Sequence, residues 1–272
     1  MTDMSAGIGC LHWLIISNDV NRSDLKIKRS FWTVVALALV VATGVRLFGV
    51  SVLTIPGAGE RPVFEAGDRV MVNRTTYGLR FPKVFGDGYR RWGEKKVSRG
   101  DWVAFDSPAD IGDTLMNHGL FVGICFAAPG DSVWTDREGR VYNSKPKGVG
   151  ALKAVEMPRR DAWVAITSDN IRWYERMINR HEGVRAVIIG DSLCVAGHFV
   201  RSFCFKHDYY WMASARTDNH ADSRAFGFVP FTHIVGKLTR VLYSWDSDAP
   251  WYCHFRTERF FMRVTPGFSD KQ

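Results

Sequence analysis

His220, Asp222 and Ser223, with His118 upstream, are the side-chain types from which a hydroxyl nucleophile and its nitrogen base are built. In a Ser–His–Asp arrangement the imidazole takes the hydroxyl proton and the carboxylate orients the imidazole, which is the chemistry of acyl transfer. The local context argues otherwise. Ser223 stands in Asp222-Ser223-Arg224, where its neighbours make it a turn residue tied to the core and leave Asp222 and Arg224 to pair with each other. His220 then reads as a hydrogen-bonded loop histidine. Cys204, His207 and the Cys253-His254 pair are metal-ligating types without a recognised spacing, so neither a metal nor another cofactor is expected.

The elements that would position these residues are mostly strands. Arg69 to Asn73 alternates apolar and polar, as a half-buried strand does. Arg99-Gly100-Asp101 is a turn leading into Trp102 to Phe105, and Leu120 to Phe126 is another apolar strand ending at Pro129-Gly130-Asp131. Val133 to Val141 reads as a hairpin turning near Glu138-Gly139. Val187 to Ile189, Ser192 to Arg201 and Leu238 to Trp245 suggest further strands. One helix is expected over Asp169 to Glu182, capped by Asp169, with Ile171, Tyr174, Met177 and Ile178 on its apolar face and Gly183 at its end.

The chain of 272 residues is 46% hydrophobic and carries a net charge of +8. No nucleic-acid motif accompanies that charge and the basic residues are scattered, so an anionic membrane surface explains it better than nucleic acid. The run from Phe31 to about Val52 supports this. As a helix it would extend about 33 Å, enough for a bilayer core. Lys26, Lys28 and Arg29 precede it, which places the N-terminus in the cytoplasm. A permanent single-pass anchor is expected rather than a cleaved leader, because no clear A-x-A site follows. The five cysteines, Cys10, Cys125, Cys194, Cys204 and Cys253, include no CxxC. A turn at Ala196-Gly197 would set Cys194 opposite Phe199, so buried free thiols are expected more than a disulfide.

The stretch Ile55 to Val70, IPGAGERPVFEAGDRV, follows the apolar run directly and ends in the turn signal Gly67-Asp68. It resembles the active-site entry of the type I signal peptidases, serine proteases whose pattern here is roughly I-P-S-x-S-M-x-P-T-L-x-x-G-D. Ile55, Pro56, Pro62, Gly67 and Asp68 sit at the family spacing. Arg99 to Phe105 resembles a second family box, and Pro129-Gly130-Asp131 resembles the end of a third, K-R-x-x-G-x-P-G-D. The strongest resemblance is Asp208 to Lys237, where Asp222, Ser223, Arg224, Gly227, Val229, Pro230, Gly236 and Lys237 match in order.

What the resemblance implies is a Ser/Lys dyad, and the matching positions do not hold one. The nucleophile position is Gly59, the general-base position Gly123, the position of the hydroxyl that supports the lysine His220, and the oxyanion-side hydroxyl position Gly57. A slip in the match does not rescue it: no serine occurs between Ser51 and Ser98, and no lysine between Lys96 and Lys145. The family's base must be a desolvated, neutral amine, and glycine offers only a backbone N–H.

The resemblance implies a mostly β fold: a convoluted antiparallel core over 54–143 and 209–245, an inserted β-rich subdomain with one helix over 144–208, and a transmembrane anchor over 31–53. A cytoplasmic segment over 1–30 and a basic aromatic tail over 246–272 complete it. That tail is read equally as lying along a membrane or as solvated. Ile55, Pro56, Gly57, Ala58, Phe121 and Val122 would bind an extended peptide, and Asp222, Ser223 and Arg224 would be the structural core of the site. The implied partners are signal peptides or exported preproteins, membrane lipids and an active signal peptidase, with no nucleic acid. The implied location is the bacterial plasma membrane, with the bulk on the periplasmic or extracellular side. Two functions stay open: a non-catalytic homologue that holds peptides or partners an active peptidase, and a working signal peptidase with a rearranged site.

Overall fold

The structure is a computed structural model. It describes residues 31–44, 46, 49–55, 63–80, 90–106, 120–136, 140–146, 148, 152–214, 222–250 and 253–267. The chain divides into two compact units, Met1–Leu47 and Phe48–Gln272. In the first, residues 31–44 form helix α1, whose Phe31, Trp32, Val34, Leu37, Leu39, Val40 and Val41 are all exposed. Among the described residues no helix is long and apolar enough to cross a membrane.

The apolar run that begins in α1 ends in extended backbone. Val50–Thr54 is a strand, β1, paired antiparallel with β2, Asp68–Asn73. The β-branched content of VSVLT favours extended backbone, and pairing satisfies its amides while Leu53 packs on the core. The other strands of this sheet are β3 (Trp102–Asp106), β4 (Leu120–Ala127), β5 (Tyr209–Ala213), β6 (Val229–Pro230) and β7 (Ile234–Ser244). The seven are hydrogen-bonded in the order β1-β2-β7-β3-β4-β5-β6, each pair antiparallel.

β2 shows the expected alternation, with Asp68, Val70 and Val72 buried. β3 does not alternate, because the sheet carries a core on both faces. Trp102 and Ala104 pack into one cluster with Ile55, Phe64, Val70 and Leu238. Val103 and Phe105 pack into the other with Tyr77, Cys125, Met212 and Phe226. A strand buried on both sides reads as a continuous apolar run. β7 begins at Ile234, four residues earlier than its hydrophobic pattern suggests, and register shifts at three places bend it across both β2 and β3. Gly236 lies at one crossing, where a Cβ would collide with the Asn73 carbonyl.

The inserted region is continuous with the hairpin before it. Ser132–Thr135 pairs with both Val141–Tyr142 and Lys153–Glu156, so its first sheet straddles residue 144. Ala186–Ile189, Ser192–Val195 and His198–Val200 form a meander that sets Cys194 opposite Phe199. Helix α2, Ile171–His181, buries Ile171, Tyr174, Met177 and Ile178. Its cap position is Asn170 rather than Asp169. The Asn170 side chain accepts from Thr167 N and donates to the Ala165 carbonyl, so it ties down the loop that enters the helix. Cys125, Cys194, Cys204 and Cys253 are free thiols, and of these only Cys125 is buried.

The described part of the C-terminal segment is neither a solvated tail nor an isolated one. Residues 253–267 fold back on the sheet: Val241 N donates to the Met262 carbonyl, Val264 N to that of Thr239, and Gly267 N to that of Gly100. Met262 and Val264 join the core, and Arg259 is buried.

Candidate functional site

Ile55 enters the site from a fixed position. Its N–H donates to the Asp68 carbonyl (2.9 Å), and its carbonyl accepts from Gly67 N (3.0 Å). Gly67 has a φ of +87°, and a Cβ there would collide with the Trp245 carbonyl, so both conformation and space require glycine. The Asp68 carboxylate is fully buried. It accepts from Glu65 N at 2.9 Å and takes both prongs of Arg259, Nε to Oδ1 at 3.0 Å and Nη2 to Oδ2 at 2.5 Å. Sequence reasoning missed Arg259, which lies in the segment read as a tail. Pro56, Gly57, Ala58, Gly59 and His220 lie outside the described residues, as does His118.

Gly123 is described. It is buried in β4 opposite Val103, and Val103 is in turn opposite Lys237. Directly opposed residues in an antiparallel sheet share a face, so Gly123, Val103 and Lys237 form one row. A Cβ on Gly123 would lie 3.2 Å from the Ala213 carbonyl oxygen and 3.3 Å from Phe105 Cε1. Around it stand three phenyl rings: Phe226 lies 5.8 Å from Phe105 and 6.0 Å from Phe121, and Phe105 and Phe121 stack at 6.1 Å. Lys237 does not bring an unpartnered amine to this row, since its Nζ is 2.5 Å from Asp101 Oδ1. The other Asp101 oxygen accepts from the Tyr77 hydroxyl at 2.9 Å, and burial, then Asp101, pushes that phenol well above its ordinary range.

Ser223 is fully buried, and its Oγ accepts from Met212 N at 2.9 Å. It opens a one-turn helix, Ser223–Phe226 (α3), capped by Asp222, whose Oδ1 accepts from Arg224 N at 3.0 Å. Arg224 Nε returns to Asp222 Oδ2 at 2.8 Å. Asp222, Ser223 and Arg224 are therefore brought together as a structural unit that ties α3 to β5.

β5 pairs with β4 only from Ile124 onward, through Ala213↔Ile124, Met212↔Cys125 and Trp211↔Ala127. Among the described residues no strand pairs with that side of Leu120–Gly123, the half-strand that carries Phe121 and Val122. Among them also, no three His, Cys, Asp or Glu side chains group as metal ligands. Elsewhere, on the outer side of β1, β2 and β7, a cavity of about 660 Å³ is lined by Thr54, Arg69, Tyr243, Trp245, Phe255 and Phe260.

Residues 28–243 match the family model described as signal peptidase, peptidase S26. The chain is 26% identical to a signal peptidase I of Pseudomonas fluorescens over 85% of this chain and 77% of the relative. It is 28% identical to a signal peptidase I of Pseudomonas aeruginosa over 83% of this chain and 75% of the relative. It is 24% identical to one of Aquifex aeolicus over 76% of this chain and 81% of the relative. A match spanning most of the chain, on the strand framework described above, means that this protein belongs to the signal peptidase family, peptidase S26.

Proposed function

We propose that the protein acts in signal-peptide processing by holding signal peptides of exported proteins rather than cutting them. The observation that carries this is the Leu120–Gly123 half-strand. Among the described residues its outer side carries no strand, which suits an extended peptide, and at its end, where the family has its base, stands a buried glycine packed against Phe105. The surrounding groups support the same reading. The Ser223 hydroxyl is engaged by Met212 N, and the Lys237 ammonium is ion-paired to Asp101. A nucleophile–base pair that lacks either member loses several orders of magnitude in rate.

The relatives' shared name favours a second reading, a working serine endopeptidase with a rearranged site. Incubating the detergent-solubilised chain with a preprotein separates the two. Holding predicts an intact preprotein and a crosslink from a photoreactive group at Phe121 or Val122. Cleavage at a small-x-small site, lost on changing His220 or Ser223, would sink it.

The location follows as part of the proposal. A helix apolar all round, as α1 is, suits a hydrocarbon surrounding, and the preceding Lys26, Lys28 and Arg29 suit a cytoplasmic side. The protein is then a single-pass component of the bacterial plasma membrane with its sheet on the periplasmic side. Lipid headgroups would meet the Tyr243–Trp245–Phe255 face, and an active signal peptidase is a fitting partner. Protease protection of the C-terminus in spheroplasts would overturn that topology.

A further inference from the structure

A contact between α2 and the ring cluster beside Gly123 is not used by the peptide-holding reading. At the C-terminal end of α2, Arg180 Nη1 donates to the Phe226 carbonyl at 2.8 Å. Phe226 is the ring that closes against Phe105 and Phe121 beside Gly123. The next residue, His181, seats its ring edge-on against His233, with centroids 5.2 Å apart, and 6.1 Å from the Tyr209 ring. His233 belongs to the 3-10 turn Phe231–His233 that leads into β7, so the contact fastens α2 to the core sheet.

We propose that this last turn of α2 is an acid-opened latch. While His181 is a neutral ring seated on His233, Arg180 holds Phe226 in the ring cluster beside Gly123, and a proton on His181 releases both.

The groups facing His181 make that proton unwelcome in the closed form. On its own helix Arg180 precedes it. His233 faces it from the turn. Tyr209 faces it from β5, with His207 beyond, 6.5 Å from Tyr209, and Lys206 before that. The neighbouring carboxylate, Glu182, is already committed: Oε1 accepts from the Tyr209 hydroxyl at 2.7 Å and Oε2 from Lys206 N at 3.0 Å. Burial, then His233, Arg180 and His207, lower the His181 pKa to about 3. Freed from the contact, the ring titrates near about 6.5. The closed form is thus fully favoured above that pH and loses ground as the pH falls toward 3. Between pH 7.5 and 5.0 the opening equilibrium should rise about tenfold, less than the whole shift allows, because the ring is only partly shielded from solvent.

Hydrogen exchange on the detergent-solubilised full chain tests this without any peptide, so its failure is separable from failure of the peptide-holding reading. After correction for intrinsic rates, amides of Met177–His181 should lose about tenfold protection between pH 7.5 and 5.0. The Phe226 and Gly227 amides should lose protection with them. His181→Gln should remove the pH response of both segments at unchanged near-ultraviolet dichroism, and Arg180→Met should expose Phe226 and Gly227 at both pH values. Should His181→Gln not fold, His233→Gln serves instead, with a weakened response expected. A pH response left at full size by His181→Gln or by His233→Gln, or an α2 that opens without Phe226, overturns the latch.

Discussion

Arg259 and Asp68, 191 positions apart, are joined by two hydrogen-bonded prongs in a site where the carboxylate has no exposure to solvent. The pair fastens the C-terminal segment beneath the Gly67-Asp68 turn, the same turn whose backbone holds Ile55. Removing the arginine leaves a buried, uncompensated charge. Arg259→Met should therefore lower stability by about 3–5 kcal/mol, read as a fall in the urea midpoint. Adding Asp68→Asn should recover part of the loss. An Arg259→Met protein as stable as the parent would mean that the pair is not buried as described.

Ser223→Ala separates the structural role from the catalytic one. It removes the acceptor for a buried Met212 amide, at a cost of about 1–3 kcal/mol. Peptide crosslinking at Phe121 should persist in the variant once it is folded. A variant of unaltered stability that abolishes a measurable cleavage would instead make Ser223 a catalytic residue.

Gly123 is crowded from two sides. Gly123→Ala should destabilise by about 1–2 kcal/mol, because Phe105 and the Ala213 carbonyl must both give way. Phe105→Leu in the same chain should offset part of that, and a double-mutant cycle should show coupling of about 0.5 kcal/mol or more. Strictly additive effects would show that the two positions do not touch. The same crowding predicts that Gly59→Ser with Gly123→Lys, without a smaller residue at Phe105, restores little cleavage.

The histidine at the end of α2 gives global stability a slope at mildly acid pH. Its folded-state pKa, near 3 through burial, then His233 and Arg180 beside it, lies below the unfolded value of about 6.5. The unfolded chain therefore binds the proton first, and stability present above pH 6.5 declines as the pH falls. Between pH 7 and 5 the loss from this residue should be about 1 kcal/mol, discounted for its partial exposure. The difference in unfolding free energy between the parent and His181→Gln, extrapolated from urea melts, should narrow by that amount over the same range. A constant difference would mean that His181 is not desolvated.

The local order of this protein was largely written in its residue pattern. Alternation in Arg69 to Asn73 marks a half-buried strand, because side chains on a strand point to opposite faces with period two. The spacing of Ile171, Tyr174, Met177 and Ile178 marks one face of a helix, and the turn at Ala196-Gly197 sets the pairing of Cys194 with Phe199. The glycines at the family's base and nucleophile positions were legible too, since a missing side chain needs no structure to be seen. Other features depended on contacts between distant segments. Val50–Thr54 looks like the end of an apolar helix until β2 is available to pair with it. Arg259 looks like a charge on a solvated tail until Asp68 is buried beneath it. Among the described residues β5 pairs with β4 only from Ile124 onward and leaves Leu120–Gly123 uncovered on that side, which no property of either segment states alone. Periodicity is a property of neighbours along the chain, whereas burial, ion pairing and strand edges belong to the packed sheet.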